Sequence, residues 1–214
     1  MTQQKSQQVL KQSCVAITGG IASGKTTLRH LLKDLGYETI DADDLARKSV
    51  QPGSQGLLDL TDHFSDCILK KDGSLNRQAL RKIMTLDPTQ KKKIEDILHP
   101  IIRKLLLKEI EFKKLGNRLW FYEASLIFEK NLSSQFLETW IVHCHKKTQI
   151  DRIISRNHYT EKEARELIGS QLPTDSKLKK ADFQINSEKS LAYLKNQIVE
   201  RVSFLEKNFL KYKG

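Results

Sequence analysis

Gly19, Gly24, Lys25 and Thr26 stand at the fixed positions of the pattern G-x-x-x-x-G-K-[ST], a spacing suited to holding phosphate. Glycines let successive backbone N–H groups curl around phosphate oxygens, in φ/ψ regions where a Cβ would clash. Within the full stretch Gly19-Gly20-Ile21-Ala22-Ser23-Gly24-Lys25-Thr26-Thr27, Lys25 is the cation that would reach β- and γ-phosphates. The Thr26 hydroxyl is the oxygen that would ligate Mg²⁺, so the expected ligand is a nucleotide with Mg²⁺. A second chemistry-bearing group is Asp41-Ala42-Asp43-Asp44, of which one acid is expected to cap a helix. If the chain stays extended there, alternation puts Asp41 and Asp43 on the same side and Ala42 opposite. A third group is Asp151-Arg152-Ile153-Ile154-Ser155-Arg156, with two arginines four apart on one helix face. The alternative for that pair is a solvated face bonded to Asp151 or Glu163.

These groups need a scaffold. Val15-Ala16-Ile17-Thr18 reads as a buried strand feeding the glycine-rich loop. Leu28, Leu31, Leu32 and Leu35 then recur at helical spacing, and Gly36 sits where a left-handed cap would end that helix. The next helix start lies at the loop, so its positive end faces the same anion. Tyr37-Glu38-Thr39-Ile40 reads as a second strand, giving the strand–loop–helix–strand opening of a parallel sheet. Ligands of such sheets bind at the carboxyl ends of strands, where the Asp41 cluster falls. Residues 51–116 read as mainly helical, with turns at Gln51-Pro52-Gly53 and Asp72-Gly73 and an N-cap at Asp87-Pro88. Pro100 predicts a break or kink in a helical face running from Ile94 to Phe112. Leu119–Tyr122 and Thr139–Val142 are further strands, and the segment Glu123–Glu129 offers an acid at a strand end. Thr160-x-x-Glu163 is a capping box opening a helix to about Gln171, and Leu172-Pro173 stops it. Ala181–Asn186 reads as an edge strand, and Leu191, Leu194, Ile198, Val202 and Leu205 as a terminal amphipathic helix over one sheet face.

At 214 residues the chain can build one α/β core with room for an inserted subdomain. Its first twelve residues, MTQQKSQQVLKQ, read as a loose polar tail without a signal peptide, and no run approaches a membrane span. Cys14, Cys67 and Cys144 lack metal or redox spacing, which fits buried or idle thiols in a reducing cytoplasm. The net charge of +11 is carried by scattered lysines such as Lys91-Lys92-Lys93 and Lys177-Leu178-Lys179-Lys180. Aromatics are not interleaved with them, so solvated helix faces and a basic cleft for a polyanionic small substrate are expected rather than nucleic acid. No membrane partner is expected, and the oligomeric state is not legible.

Several segments in this order, from Val15 to about Leu205, together resemble the dephospho-coenzyme A kinase family. They are TGGIASGKTT at Thr18–Thr27, LGYETIDADDLAR at Leu35–Arg47, PGSQGLLDL at Pro52–Leu60 and DGSLNRQAL at Asp72–Leu80. LHPIIR follows at Leu98–Arg103, ASLIFE at Ala124–Glu129, TQIDRIISR at Thr148–Arg156, and SQLPTDSKLKKADFQIN at Ser170–Asn186. The phosphate loop is shared by many ATPases; the DAD–AR, LHP and Q–K–AD–IN pieces in one chain are more specific. The resemblance implies ATP-dependent phosphorylation of the ribose 3′-hydroxyl of dephospho-coenzyme A, giving coenzyme A and ADP. It implies a P-loop, nucleoside-monophosphate-kinase-like three-layer α/β fold, a five-stranded parallel sheet with a helical substrate domain and a lid. Residues 13–50, 117–147 and 181–214 would form the nucleotide-binding core after a tail of 1–12, 51–116 the substrate domain, and 148–180 the lid.

By the same resemblance Asp43 accepts the hydroxyl proton, with Asp41 nearby on the metal or its waters at the substrate site; the residue types alone do not rank the two acids. Arg152 and Arg156 resemble lid arginines that close over ATP, Arg152 with Lys25 stabilising transition-state charge. Arg47, Arg77, His99 and Arg103 are candidates for the substrate's pyrophosphate and adenine end, though a histidine before proline can equally be a helix cap or a core hydrogen-bond donor. Two departures concern loop geometry. Ser125 stands where family members usually carry proline, and Ala22 where glycine is common. Another small-metabolite P-loop kinase, or a nucleotide-binding module without catalysis, are the alternative readings. The paired acids and the arginines favour catalysis.

Overall fold

The computed structural model describes residues 3–211. In chain order its elements begin with α1 (Gln3–Ser13), β1 (Cys14–Thr18), α2 (Lys25–Asp34), β2 (Thr39–Asp41), α3 (Ala42–Lys48), α4 (Gln55–Phe64), α5 (Arg77–Leu86) and α6 (Pro88–Phe112). They continue with β3 (Trp120–Glu123), β4 (Glu138–His143), α7 (Lys146–Asn157), α8 (Glu161–Gly169), α9 (Thr174–Leu178), β5 (Phe183–Asn186) and α10 (Leu191–Lys211). The chain divides into two compact units, one running to Ile40 and resuming at Leu115, the other Asp41–Lys114.

The first unit is built on a five-stranded sheet of order β2-β3-β1-β4-β5. β1 pairs in parallel with β3 and with β4, and β4 with β5, which makes β5 the edge strand its sequence predicts. Every residue of β1 is buried, as expected for a strand covered on both faces. Val15 and Ile17 point to the face where Leu28 and Leu32 of α2 meet Leu194, Ile198 and Val202 of α10. Phe121 and Trp140 join them with ring centroids 5.3 Å apart. Each such fully buried side chain contributes roughly 1.5–3 kcal/mol, and this layer fixes the carboxyl end of β1 from which the glycine-rich loop departs. Gly36, at φ +85°, ends α2: its N–H donates to Lys33 O and the Tyr37 N–H to Leu32 O, both at 2.9 Å.

The amino-terminal run is not a loose tail from Gln3 on, for it forms α1. Ser13 explains its anchorage: the hydroxyl donates to Val9 O at 2.8 Å and accepts the Trp120 indole N–H at 3.2 Å. Its few apolar residues gave no helical stripe to read, whereas glutamine and lysine are good helix formers. Residues 1 and 2 lie outside the described residues.

The second unit packs Leu57 and Leu60 of α4, Leu80 of α5 and Ile94 of α6 around Val50, Ile68 and Leu75. Side chains cap its helices in the expected way. Ser54, Asn76 and Asp87 accept the N–H groups of Leu57, Ala79 and Thr89. The break at Pro100 is absent, because α6 is continuous from Pro88 to Phe112. An interior proline costs about 3 kcal/mol; buried Ile94 before it and buried Leu106 and Ile110 after it anchor both halves of the helix. The unit also takes in α3, which the sequence assigned to the core; Lys48 Nζ lies 2.8 Å from Glu109 Oε1 of α6.

Candidate active site

The loop after β1 has the backbone its glycines allow. Gly19 and Gly24 take φ +152° and +105°, and a Cβ on Gly19 would lie 2.3 Å from Val142 O. On Gly24 it would lie 2.7 Å from Ser187 Cβ. Ala22 is left-handed as well, at φ +56°, although it carries a side chain. Gly24 is the N-cap of α2, whose positive N-terminal end faces the loop; within that turn the Thr27 N–H donates back to Gly24 O at 3.0 Å. Lys25 Nζ donates to Gly19 O at 3.0 Å and Gly20 O at 3.2 Å. Thr26 is exposed in the first turn, Thr27 beside it, and Ser23 is buried, its hydroxyl lacking a hydrogen-bond partner among the described residues.

Arg152 of α7 reaches this loop. Its Nη1 donates to Ala22 O at 3.1 Å and to Ser187 Oγ at 3.1 Å, so the reading of Arg152 as a solvated partner of Asp151 or Glu163 does not hold. Arg156 is not brought there: it is exposed, and its Nε donates to Asn157 Oδ1 at 3.3 Å. Glu163 closes the expected capping box with Thr160, and the Thr160 N–H and hydroxyl hold its carboxyl below the usual range.

Sequence reasoning missed several residues here. Gln149 Nε2 donates to Ile21 O at 2.8 Å, and Gln171 Oε1 accepts the Ile21 N–H at 3.0 Å. Both glutamines line a cavity of about 520 Å³ with His143, Cys144, Asn186 and Glu188. Burial lowers the His143 pKa and raises that of the Cys144 thiol, while the Thr148 hydroxyl lowers that of Glu188. Lys177 is fully buried, 2.6 Å from Glu129 Oε1, which corrects its reading as part of a solvated lysine run. Nothing in Lys177-Leu178-Lys179-Lys180 marks which lysine turns inward. The acid expected at a strand end is Glu123, last in β3, with Arg29 Nη1 3.6 Å away. Ser125 offers its carbonyl to the Thr18 hydroxyl at 3.2 Å, a group that proline also has, so this departure leaves the contact possible.

In the second unit the chain does not stay extended beyond Asp41. Asp41 caps α3, accepting the Asp43 N–H at 2.8 Å, and Asp43 lies exposed in the first helical turn. The same-side alternation of the two acids is therefore replaced by a cap and a first-turn carboxylate. Asp44 pairs with Arg47, which raises the Arg47 pKa. Arg77 begins α5, and His99 and Arg103, four apart on α6, are exposed.

A glycine-rich loop between a parallel strand and a helix, with a lysine and an arginine bonded to its carbonyls, belongs to the P-loop kinase fold. Residues 13–192 match the sequence profile of the dephospho-CoA kinase family, and the chain belongs to that family. It is 36% identical to the dephospho-CoA kinase of Listeria monocytogenes over 195 residues, 91% of this chain and 98% of that one. With that of Geobacter sulfurreducens it shares 34% over 187 residues, 87% and 95% of the two chains. A crystal structure from Thermus thermophilus, TT1252, superposes with a TM-score of 0.79 at 27% identity, covering 89% of this chain and 95% of that one. The dephospho-CoA kinase from Campylobacter jejuni gives 0.58 at 27% identity, covering 90% and 97%. The chain is thus a kinase that uses ATP to phosphorylate dephospho-coenzyme A on its ribose 3′-hydroxyl, the final step of coenzyme A synthesis.

Proposed function

We propose that the reaction is carried out by the loop Gly19–Thr27 with Lys25 and Arg152 on the ATP side and by Asp43 on the acceptor side. The observation that carries this reading is that Lys25 and Arg152 bond to carbonyls of one loop, Gly19 and Gly20 for the first and Ala22 for the second. Two cations held on one loop suit the charge that accumulates on the transferring phosphoryl group. Asp43 accepts the proton of the 3′-hydroxyl as its oxygen bonds to the γ-phosphorus. The bond from that phosphorus to the bridging oxygen breaks, and ADP leaves with the electron pair. Asp41 serves by capping α3 and holding the Asp43 amide. Arg47, Arg77, His99 and Arg103 bind the anionic acceptor, and residues 148–180, with Arg156, act as the lid over ATP.

Thr26 fits a magnesium site, since its exposed hydroxyl is a hard oxygen donor in the first turn of α2. Mg²⁺, when bound there, supplies positive charge to the phosphate oxygens. A reducing cytoplasm suits the three free thiols Cys14, Cys67 and Cys144.

The test is an ADP-release assay with ATP and Mg²⁺ against dephospho-coenzyme A, shikimate, AMP and UMP. Turnover with dephospho-coenzyme A alone, and a product one phosphate heavier, is the expected result. Phosphorylation of another acceptor in its place refutes the assignment.

A further inference from the structure

We propose that Gln149 and Gln171 are positioning residues for phosphoryl transfer, clamping the Ile21 backbone so that the phosphate loop is set before ATP arrives. The proposal rests on that loop being the ATP site. The four fixed positions of the motif leave residues 20–23 unrestrained by type, yet Ala22 holds a left-handed backbone that costs roughly 1–2 kcal/mol. Something outside the loop must hold it. Gln171 takes the Ile21 N–H at 3.0 Å and Gln149 gives its own N–H to Ile21 O at 2.8 Å. The Ile21 side chain packs with Ile150, Ile153 and Ala164 of α7 and α8, so all three parts of this residue are fastened to the segment after β4.

A separate observation points the same way. Gly20 is not a fixed position of the motif, but a Cβ on it would lie 2.6 Å from Gln149 Nε2. Glycine there makes room for the glutamine. Gln149 is 4% exposed and Gln171 is partly buried; they come from α7 and from the turn after α8. That turn is itself held, because the Leu172 N–H donates to Glu129 Oε1 at 3.3 Å and the same carboxylate pairs with buried Lys177. In-line transfer depends on sub-ångström placement, so a loop released at Ile21 loses rate rather than acceptor binding.

The test uses the asymmetry of the two bonds. Gln171→Glu keeps an acceptor for the Ile21 N–H, whereas Gln149→Glu sets a carboxylate against the Ile21 carbonyl. Both add one negative charge beside the same partner, Ile21, so their difference reads the hydrogen bond. In the full chain, Gln149→Glu should have a kcat at least about tenfold below that of Gln171→Glu. KM for dephospho-coenzyme A should stay within about twofold of wild type in both, because the clamp acts on the ATP side. Equal kcat values, or an effect confined to that KM, overturn the proposal. If Gln149→Glu does not fold, Gln149→Met is compared with Gln171→Glu under the same expectations. Lys25→Ala, measured alongside, separates the two readings. A folded, inactive Lys25→Ala with equal glutamine variants refutes only the clamp, whereas an active Lys25→Ala refutes the loop as the ATP site and the clamp with it.

Discussion

Arg152 Nη1 donates to the carbonyl of Ala22 at 3.1 Å, and Ala22 holds a left-handed backbone within the loop although it is not glycine. The guanidinium is therefore tied to the loop backbone. Arg152→Ala should lower kcat by about 10²–10³, the usual effect of losing one group aimed at developing charge. Arg152→Lys should recover only part of it, since Nη1 alone holds both Ala22 O and Ser187 Oγ and leaves the other guanidinium N–H groups for the phosphates, donors that a single ammonium lacks. Steady-state kinetics at saturating ATP decide; a kcat within twofold of wild type in Arg152→Ala would remove this residue from the reaction.

Much of this was legible in the sequence where local chemistry fixes local structure. The loop, the caps at Asp87 and Thr160 and the Gly36 terminus each need one residue type at one spacing, and each is in place. Burial of a polar residue is different, because it depends on what tertiary structure brings near it. Lys177 reads like its neighbours Lys179 and Lys180, and only Glu129, far away in the chain, makes its burial tolerable. Gln149 and Gln171 are silent for the same reason, since their partner is a backbone that no composition reveals. Pro100 shows propensity overridden by packing on either side of it.

Lys177 and Glu129 give a stability prediction. Lys177→Ala strands a mostly buried carboxylate whose Oε2 has no hydrogen-bond partner among the described residues. Breaking one side of such a pair costs about 3–5 kcal/mol. Replacing both, as Lys177→Met with Glu129→Leu, should recover most of that loss, because the pair's own desolvation disappears with it. Urea denaturation of the single and double variants measures the difference. A single variant as stable as wild type would show that the carboxylate finds water there.

Acid sensitivity follows from the helix caps. The Thr89 hydroxyl, with its N–H, holds the Asp87 carboxyl below its usual range. A carboxyl depressed in the folded state gives stability that is present above its unfolded pKa, about 3.9, and is lost as pH falls through the lower folded value. The melting temperature should therefore drop on acidification below about pH 4, where the carboxylate begins to protonate in the unfolded chain. Asp87→Asn retains a capping oxygen without the titration, so its melt should fall less steeply over the same window. Parallel slopes in the two proteins would assign the acid loss to other carboxylates.

The acids of the second unit carry the last prediction. Asp41 accepts the Asp43 N–H, so its role as a cap is visible, and Asp43 is left exposed with its carboxylate in the first turn of α3. Asparagine caps as well as aspartate, so Asp41→Asn should fold normally and keep most of its activity. Asp41→Ala should lose about 1 kcal/mol of stability with the cap. Asp43→Asn keeps size but removes the basic oxygen, and kcat should fall by about 10²–10⁴, the contribution of a positioned base. KM for ATP should hardly change, since the acid acts on the acceptor hydroxyl. An active Asp43→Asn with a folded but inactive Asp41→Asn would transfer the base to the cap residue. If both asparagine variants keep wild-type turnover, this cluster only starts a helix and the proton leaves by another route.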